Sequence, residues 1–173
     1  MKTIYSKLAL IVVFITASAS SCEKEKDAEP KLPEETQTGA NTFGCYVNDV
    51  LFLKEWSRHL GTYPLQANYW KLANKLIISA QSNQKSISFS VLNPEVNKKI
   101  TLLGASYYTG RYFYKINNAG DIFFTRFDLD NLIISGTFAF EIPIDYDDGN
   151  IIDTIKVTQG RFDIKINDYN IRD

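Results

Sequence analysis

The chain has 173 residues, with 19 Lys+Arg against 20 Asp+Glu, one His, two Cys and 13% aromatic residues. A formal charge of -1 leaves no basic footprint for nucleic acid, and one His with two Cys cannot build the usual His/Cys zinc site without carboxylates. At 45% hydrophobic residues the chain is too apolar to be disordered throughout.

Residues 1–21 read as an address rather than as fold. Lys2 and Lys7 give a basic start, Leu8 to Ala17 form a short apolar run, and Ser18, Ala19, Ser20 and Ser21 are small. This is the pattern of a secretory signal peptide, and the apolar run is too short for a bilayer, which needs about 20 residues. Cys22 follows directly. A small-residue run ending in Cys resembles the lipobox of bacterial lipoproteins, with Ala19 standing where that motif prefers Leu. The resemblance implies cleavage before Cys22, diacylation of its thiol and an outer-membrane lipoprotein anchored by palmitate-like chains, with surface exposure as a further expectation. More than one acyl chain holds a protein stably where one chain binds only marginally. The mature chain loses two basic residues and no acid, so its charge falls to -3.

Residues 22–41 are expected to be the anchor and a flexible tether. Leu32 is the only bulky aliphatic residue in 23–41, and Pro30, Pro33 and Gly39 punctuate the stretch. Such a segment buries too little apolar surface to offset the entropy of ordering. Fully extended it would reach about 60 Å. The charges after Cys22 also loosely resemble acidic export signals of Bacteroidota lipoproteins, interrupted by Lys24 and Lys26.

Residues 42–173 predict one all-β domain. Phe43, Cys45 and Val47 share one face. Ile87, Phe89 and Val91 alternate with Ser86, Ser88 and Ser90. Further rows run through Tyr112, Tyr114 and Ile116, through Phe123, Thr125, Phe127 and Leu129, and through Ile134, Gly136, Phe138, Phe140 and Ile142. Ile155 and Val157 precede Phe162, Ile164 and Ile166. Period-two alternation rich in β-branched and aromatic residues marks strands packed on one side. Turns are expected at Asn48-Asp49, Ala73-Asn74, Ser82-Asn83-Gln84, Asn117 to Gly120, Asp130-Asn131, Asp147 to Asn150 and Gln159-Gly160, because Asn, Asp and Gly tolerate positive φ. Asn93 to Lys99 could make one helical turn. The expectation is an antiparallel β-sandwich of about nine or ten strands, the alternative being a closed, lipocalin-like barrel.

Chemistry-bearing residues are few. With Cys22 lipidated, Cys45 has no disulfide partner and reads as a core residue. A nucleophile paired with His59 would need a base and an orienting group that the local sequence does not supply. Glu55, Glu95 and Glu141 are the only glutamates of the domain and sit in no marked context, although two acids suffice for a glycosidase. Asp145, Asp147, Asp148 and Asp153 are weak metal candidates, because counting back from Gly149 puts Ile144 and Tyr146 where an EF-hand places ligands. No cofactor is expected. Two aromatic groups could leave the core face. One holds Tyr63, Tyr69 and Trp70, the other Tyr107, Tyr108, Tyr112, Phe113 and Tyr114. Of these, Tyr63, Tyr69, Trp70, Tyr107 and Tyr108 are the candidate ligand-binding rings. Aromatics give large rigid contact area at low entropic cost.

Thr42-Phe-Gly-Cys-Tyr-Val-Asn48 near the start and Gly160-Arg-Phe-Asp-Ile-Lys165 near the end, joined to the lipobox, resemble an uncharacterised family of small Bacteroidota lipoproteins. The resemblance implies an envelope protein with a β domain and carries over no active-site residue. In the second motif Phe162 is expected to enter the core, with Arg161 and Asp163 facing out. The functional expectation is a non-enzymatic, membrane-anchored module binding a glycan, a peptide or an envelope protein, with no nucleic-acid partner. The alternatives are a carboxylate-only glycan hydrolase and a lipocalin-like carrier of a small apolar ligand.

Overall fold

A computed structural model of the protein describes residues 30–55, 63–145 and 151–173. Their alternating rows fold into two six-stranded sheets packed face to face. The first sheet takes β1 (Thr42–Val47), β2 (Val50–Leu53), β6 (Lys99–Thr101), β9 (Asp121–Asp128), β10 (Ile133–Asp145) and β11 (Ile151–Lys165), in the order β2-β1-β11-β10-β9-β6. The second takes β3 (Leu65–Trp70), β4 (Lys75–Ser82), β5 (Lys85–Leu92), β7 (Gly104–Tyr108), β8 (Phe113–Asn117) and β12 (Ile171–Arg172), in the order β12-β3-β4-β5-β7-β8.

The molecule is thus an all-β sandwich with open sheets. The closed-barrel alternative falls, because each sheet ends in two edge strands. With it goes the structural basis for a lipocalin-like carrier. Two more strands form among the described residues than the upper expectation, and the additions are short. β6 has three residues and β12 two, so neither is long enough to show a period.

Phenylalanines fill the space between the sheets. The Phe138 ring lies 4.5 Å from that of Phe89 and 5.1 Å from that of Phe43, centroid to centroid. Phe140 and Phe162 complete the cluster. On the outer face of the second sheet Ser79 and Ser88 share a 2.8 Å hydroxyl contact, as expected for a sheet packed on one side.

Turn chemistry holds in most places. Asn48 and Asp49, both at positive φ, join β1 to β2 as a two-residue hairpin. Asn74 and Asn83 serve β3–β4 and β4–β5 with positive φ. Gln159-Gly160 is a correction: β11 runs straight through it. The positive φ of Gln159 makes a bulge, which shifts the register against both β1 and β10. A second register shift lies between Phe124 and Arg126. It breaks the row expected from Phe123 to Leu129, since Phe124 and Phe127 pack edge-on at 5.5 Å while Phe123 is only half-buried. Asn93 to Lys99 is not helical. A three-residue 3₁₀ turn, Asp168–Asn170, is the only helical element among the described residues.

The folded unit begins earlier than composition suggests. The compact unit runs Lys31–Asp173, and 33–41 form a strap across the outer face of the first sheet. Pro33 sits where Gly44 has no side chain; a Cβ there would come within 2.6 Å of Pro33 Cδ. Arg161 donates to the Pro33 carbonyl at 3.2 Å and pairs with Glu35 at 3.3 Å. Asp163 does leave the core face, but the strap covers it, and it is 1% exposed. Composition registers lost apolar burial and misses this strap, because hydrogen bonds to Asp163 and the seat of Pro33 on Gly44 hold it.

Candidate functional site

The first aromatic group is largely structural. Tyr69 is buried, stands edge-on to Phe127 at 5.5 Å and donates its hydroxyl to Asn74 Oδ1 at 2.7 Å. Trp70 is half-buried beneath the Arg172 guanidinium, 5.3 Å from the ring centroid. Tyr63 is exposed and shares a hydrogen bond with Tyr169. The three rings therefore build no common platform.

The second group ends at a cleft. Tyr107 is buried and Tyr114 half-buried, and both line a hollow of about 420 Å³ between the sheets. Tyr108 points away and donates to the Gly110 carbonyl at 2.8 Å. Tyr112 continues outward from Tyr114, with ring centroids 6.3 Å apart, and is 53% exposed. Phe113, on the opposite face of β8, is 64% exposed.

Antiparallel topology explains why the cleft lies where it does. Hairpins at Asn48-Asp49, Asn83-Gln84 and Thr109 to Tyr112 reverse the chain at the same end of the sandwich. The paired ends of β10 and β11, at Ile144 and Asp153, form the fourth side. Gly110, at φ +91°, lies against Gln84, where a Cβ would be 3.3 Å from the Gln84 Cβ. Asn48 ties its turn to β11, its N–H donating to the Lys156 carbonyl and its Oδ1 accepting from Lys156 N at 2.7 Å. The apolar wall comes from Val47, Phe52, Ile144 and Ile155, and the polar rim from Ser82, Asn83, Lys85, Thr109, Glu55 and Asp153.

A second hollow, of about 440 Å³, lies on the outer face of the first sheet over Phe123, Ala139 and Gly160. Its charges are already paired, Lys99 with Asp121 at 2.7 Å and Arg161 with Glu35. In the cleft, by contrast, the Glu55, Asn83 and Lys85 side chains have no hydrogen-bond partner among the described residues. That difference makes the cleft the candidate site.

The other singled-out residues distribute as follows. Cys45 is wholly buried, and burial pushes its thiol up to about 12, which suits core filling and not nucleophilic attack. Glu95 pairs with Lys98 at 2.7 Å, and Glu141 is exposed. Asp153 Oδ1 accepts from Thr154 N at 2.7 Å. Cys22, His59, Asp147, Asp148 and the Asp145 side chain lie outside the described residues. Ser82 and Asn83 were legible only as turn chemistry and Lys85 carried no signal, since nothing local says which turns share an end. No family model, no curated protein and no solved structure matches the chain.

Proposed function

We propose that this protein is a lipid-anchored module of the bacterial cell envelope, of the small Bacteroidota lipoprotein kind, that binds a ligand without transforming it. The observation that carries the reading is the cleft, an amphipathic hollow of ligand size whose rim side chains Glu55, Asn83 and Lys85 have no partner among the described residues. The anchor rests on the signal-like start ending at Cys22. Docking of the strap sharpens the geometry. Only the stretch from Cys22 to Pro33 is left to reach the membrane, about 40 Å when extended. The domain would therefore work close to the lipid surface.

Two measurements test this. Labelled palmitate should enter the wild-type protein and be lost in Cys22→Ser; labelling that survives the substitution overturns the anchor. Amide spectra of the mature chain, titrated with small saccharides, dipeptides and apolar fragments, should shift first at Asn48, Asn83, Lys85 and Tyr107. Shifts gathering around Phe123 and Ala139 instead, or none at all, overturn the cleft as the site. One observation favours a second reading: Glu55 and Asp153 line the same hollow, as a carboxylate-only glycan hydrolase would require. Release of reducing ends from a glycan, abolished by Glu55→Gln and by Asp153→Asn, would select that reading.

A further inference from the structure

Resting on the reading of the cleft as a binding site, we infer that its ligand is a short, uncharged saccharide whose ring packs on Tyr114. Two properties of the cleft narrow the class.

The rim charge is mixed. Glu55 and Asp153 bring two carboxylates and Lys85 one ammonium. A phosphate or carboxylate ligand is held by converging cations, and a cationic ligand by acids without an opposing ammonium. Neither arrangement is present among the described residues. Asn83 adds an amide that both donates and accepts. Carboxylate acceptors, ammonium donors and an amide together suit hydroxyl groups, each of which is donor and acceptor at once.

The walls are apolar and aromatic. A purely apolar ligand would cover Val47, Phe52, Ile155 and Tyr114 but strand the polar rim, and covering polar groups without partners is costly. A sugar ring offers both surfaces, a C–H face for the aromatic and an edge of hydroxyls for the rim. The aromatic run also continues outward. Tyr112 stands one ring beyond Tyr114, with centroids 6.3 Å apart and Arg111 over it at 5.1 Å. Longer saccharides should therefore bind more tightly than single sugars.

A peptide is the occupant that the test must separate, because peptides that add to sheets need a free strand edge and the edge strands β2 and β8 border the cleft through Leu51 and Tyr114. Such pairing uses backbone groups and gives the Tyr114 ring and the polar rim no role, whereas a sugar engages both.

The test uses the ¹⁵N-labelled mature chain and named probes: cellotriose, maltotriose and the trimer of N-acetylglucosamine as saccharides, trialanine as a peptide, and anilinonaphthalene sulfonate as an apolar anion. At least one saccharide should shift the amides of Asn83, Lys85, Thr109 and Tyr114, and its trimer should bind more tightly than its monosaccharide. Tyr114→Ala should weaken that binding about tenfold, from loss of the ring face. Tyr114→Phe should retain most of it, which keeps the test valid if the alanine variant folds poorly. Glu55→Gln should weaken it less, and Phe113→Ala not at all. If trialanine or the dye shifts these amides while no saccharide does, the saccharide is overturned and the cleft stands. If no probe shifts them, both fall.

Discussion

The Gly39 amide donates to Asp163 Oδ1 at 2.8 Å across 124 positions of sequence, and it does not act alone. Thr38 and Ala40 donate their amides to Oδ2 at 3.0 and 3.1 Å. Gly39, at φ +74°, bends these three successive N–H groups into one concave nest around the carboxylate. The Thr36 hydroxyl adds a bond of 2.6 Å, and Ser135, from below, one of 2.7 Å. No cation pairs with Asp163 among the described residues. Neutral donors alone hold a buried charge, and through it they hold the strap.

Asp163→Asn should therefore destabilise the domain by about 3 kcal/mol, because it turns an amide group toward several donors at once and leaves them unsatisfied. Urea unfolding of the mature chain measures it. A loss below about 1 kcal/mol would mean that the strap contributes little to stability.

The same carboxylate sets a pH dependence. Burial alone would raise the Asp163 pKa, but the hydrogen bonds from Thr36, Ser135, Ala40 and Gly39 outweigh it and hold it well below the usual carboxylate range. A folded-state value below the unfolded value, about 3.9, means that the contribution is complete above that pH and is lost as pH falls further. Wild-type stability should drop steeply below about pH 4, and Asp163→Asn should flatten that part of the curve. Parallel curves for the two proteins would refute the assignment.

Hydrogen exchange checks the strap directly. The amides of Thr38, Gly39 and Ala40 should be protected well beyond random-coil rates, as groups bonded to a buried acceptor are. Exchange at random-coil rates would return 31–41 to the status of a free tether.

Gly160 has no room for a side chain. A Cβ there would lie 2.5 Å from Phe138 Cζ, in the middle of the phenylalanine cluster. Gly160→Ala should cost about 1–3 kcal/mol through displaced packing. Gly104→Ala is the control, since its Cβ would meet nothing closer than 3.4 Å. Equal effects of the two substitutions on thermal unfolding would contradict the packing argument.

Cys45 should be chemically silent in the folded protein. It is wholly buried, and its thiol is pushed up to about 12. In a Cys22→Ser background at pH 8, iodoacetamide should leave Cys45 intact natively and modify it fully in denaturant. Rapid native labelling would show that the surrounding strands open readily.

The local rules of the chain were legible wherever a side chain answers to its own neighbours. Val47-Asn-Asp-Val50 reads as a hairpin because the turn is closed within four residues. Gln159-Gly160 looks equally turn-like and is a bulge. What distinguishes the two is the pairing of β11 with β1 on one side and β10 on the other, which no window around Gln159 contains. Asp163 follows the same logic. Alternation placed it off the core face correctly, yet its burial depends on a segment more than 120 residues away.

The sequence by itself determined the β class, the single-sided alternation, most of the turns and the core role of Cys45, since these follow from side-chain period, backbone freedom and apolarity at each position. Only the tertiary structure decided that the sheets stay open and that the strap is docked. It alone divided the aromatics into a filled core, a lock around Tyr69 and a wall at one cleft. The reason is physical: a strand's period fixes which face a residue occupies, but not which turns meet at one end. That depends on strand order, which is set by pairings between residues far apart in the chain.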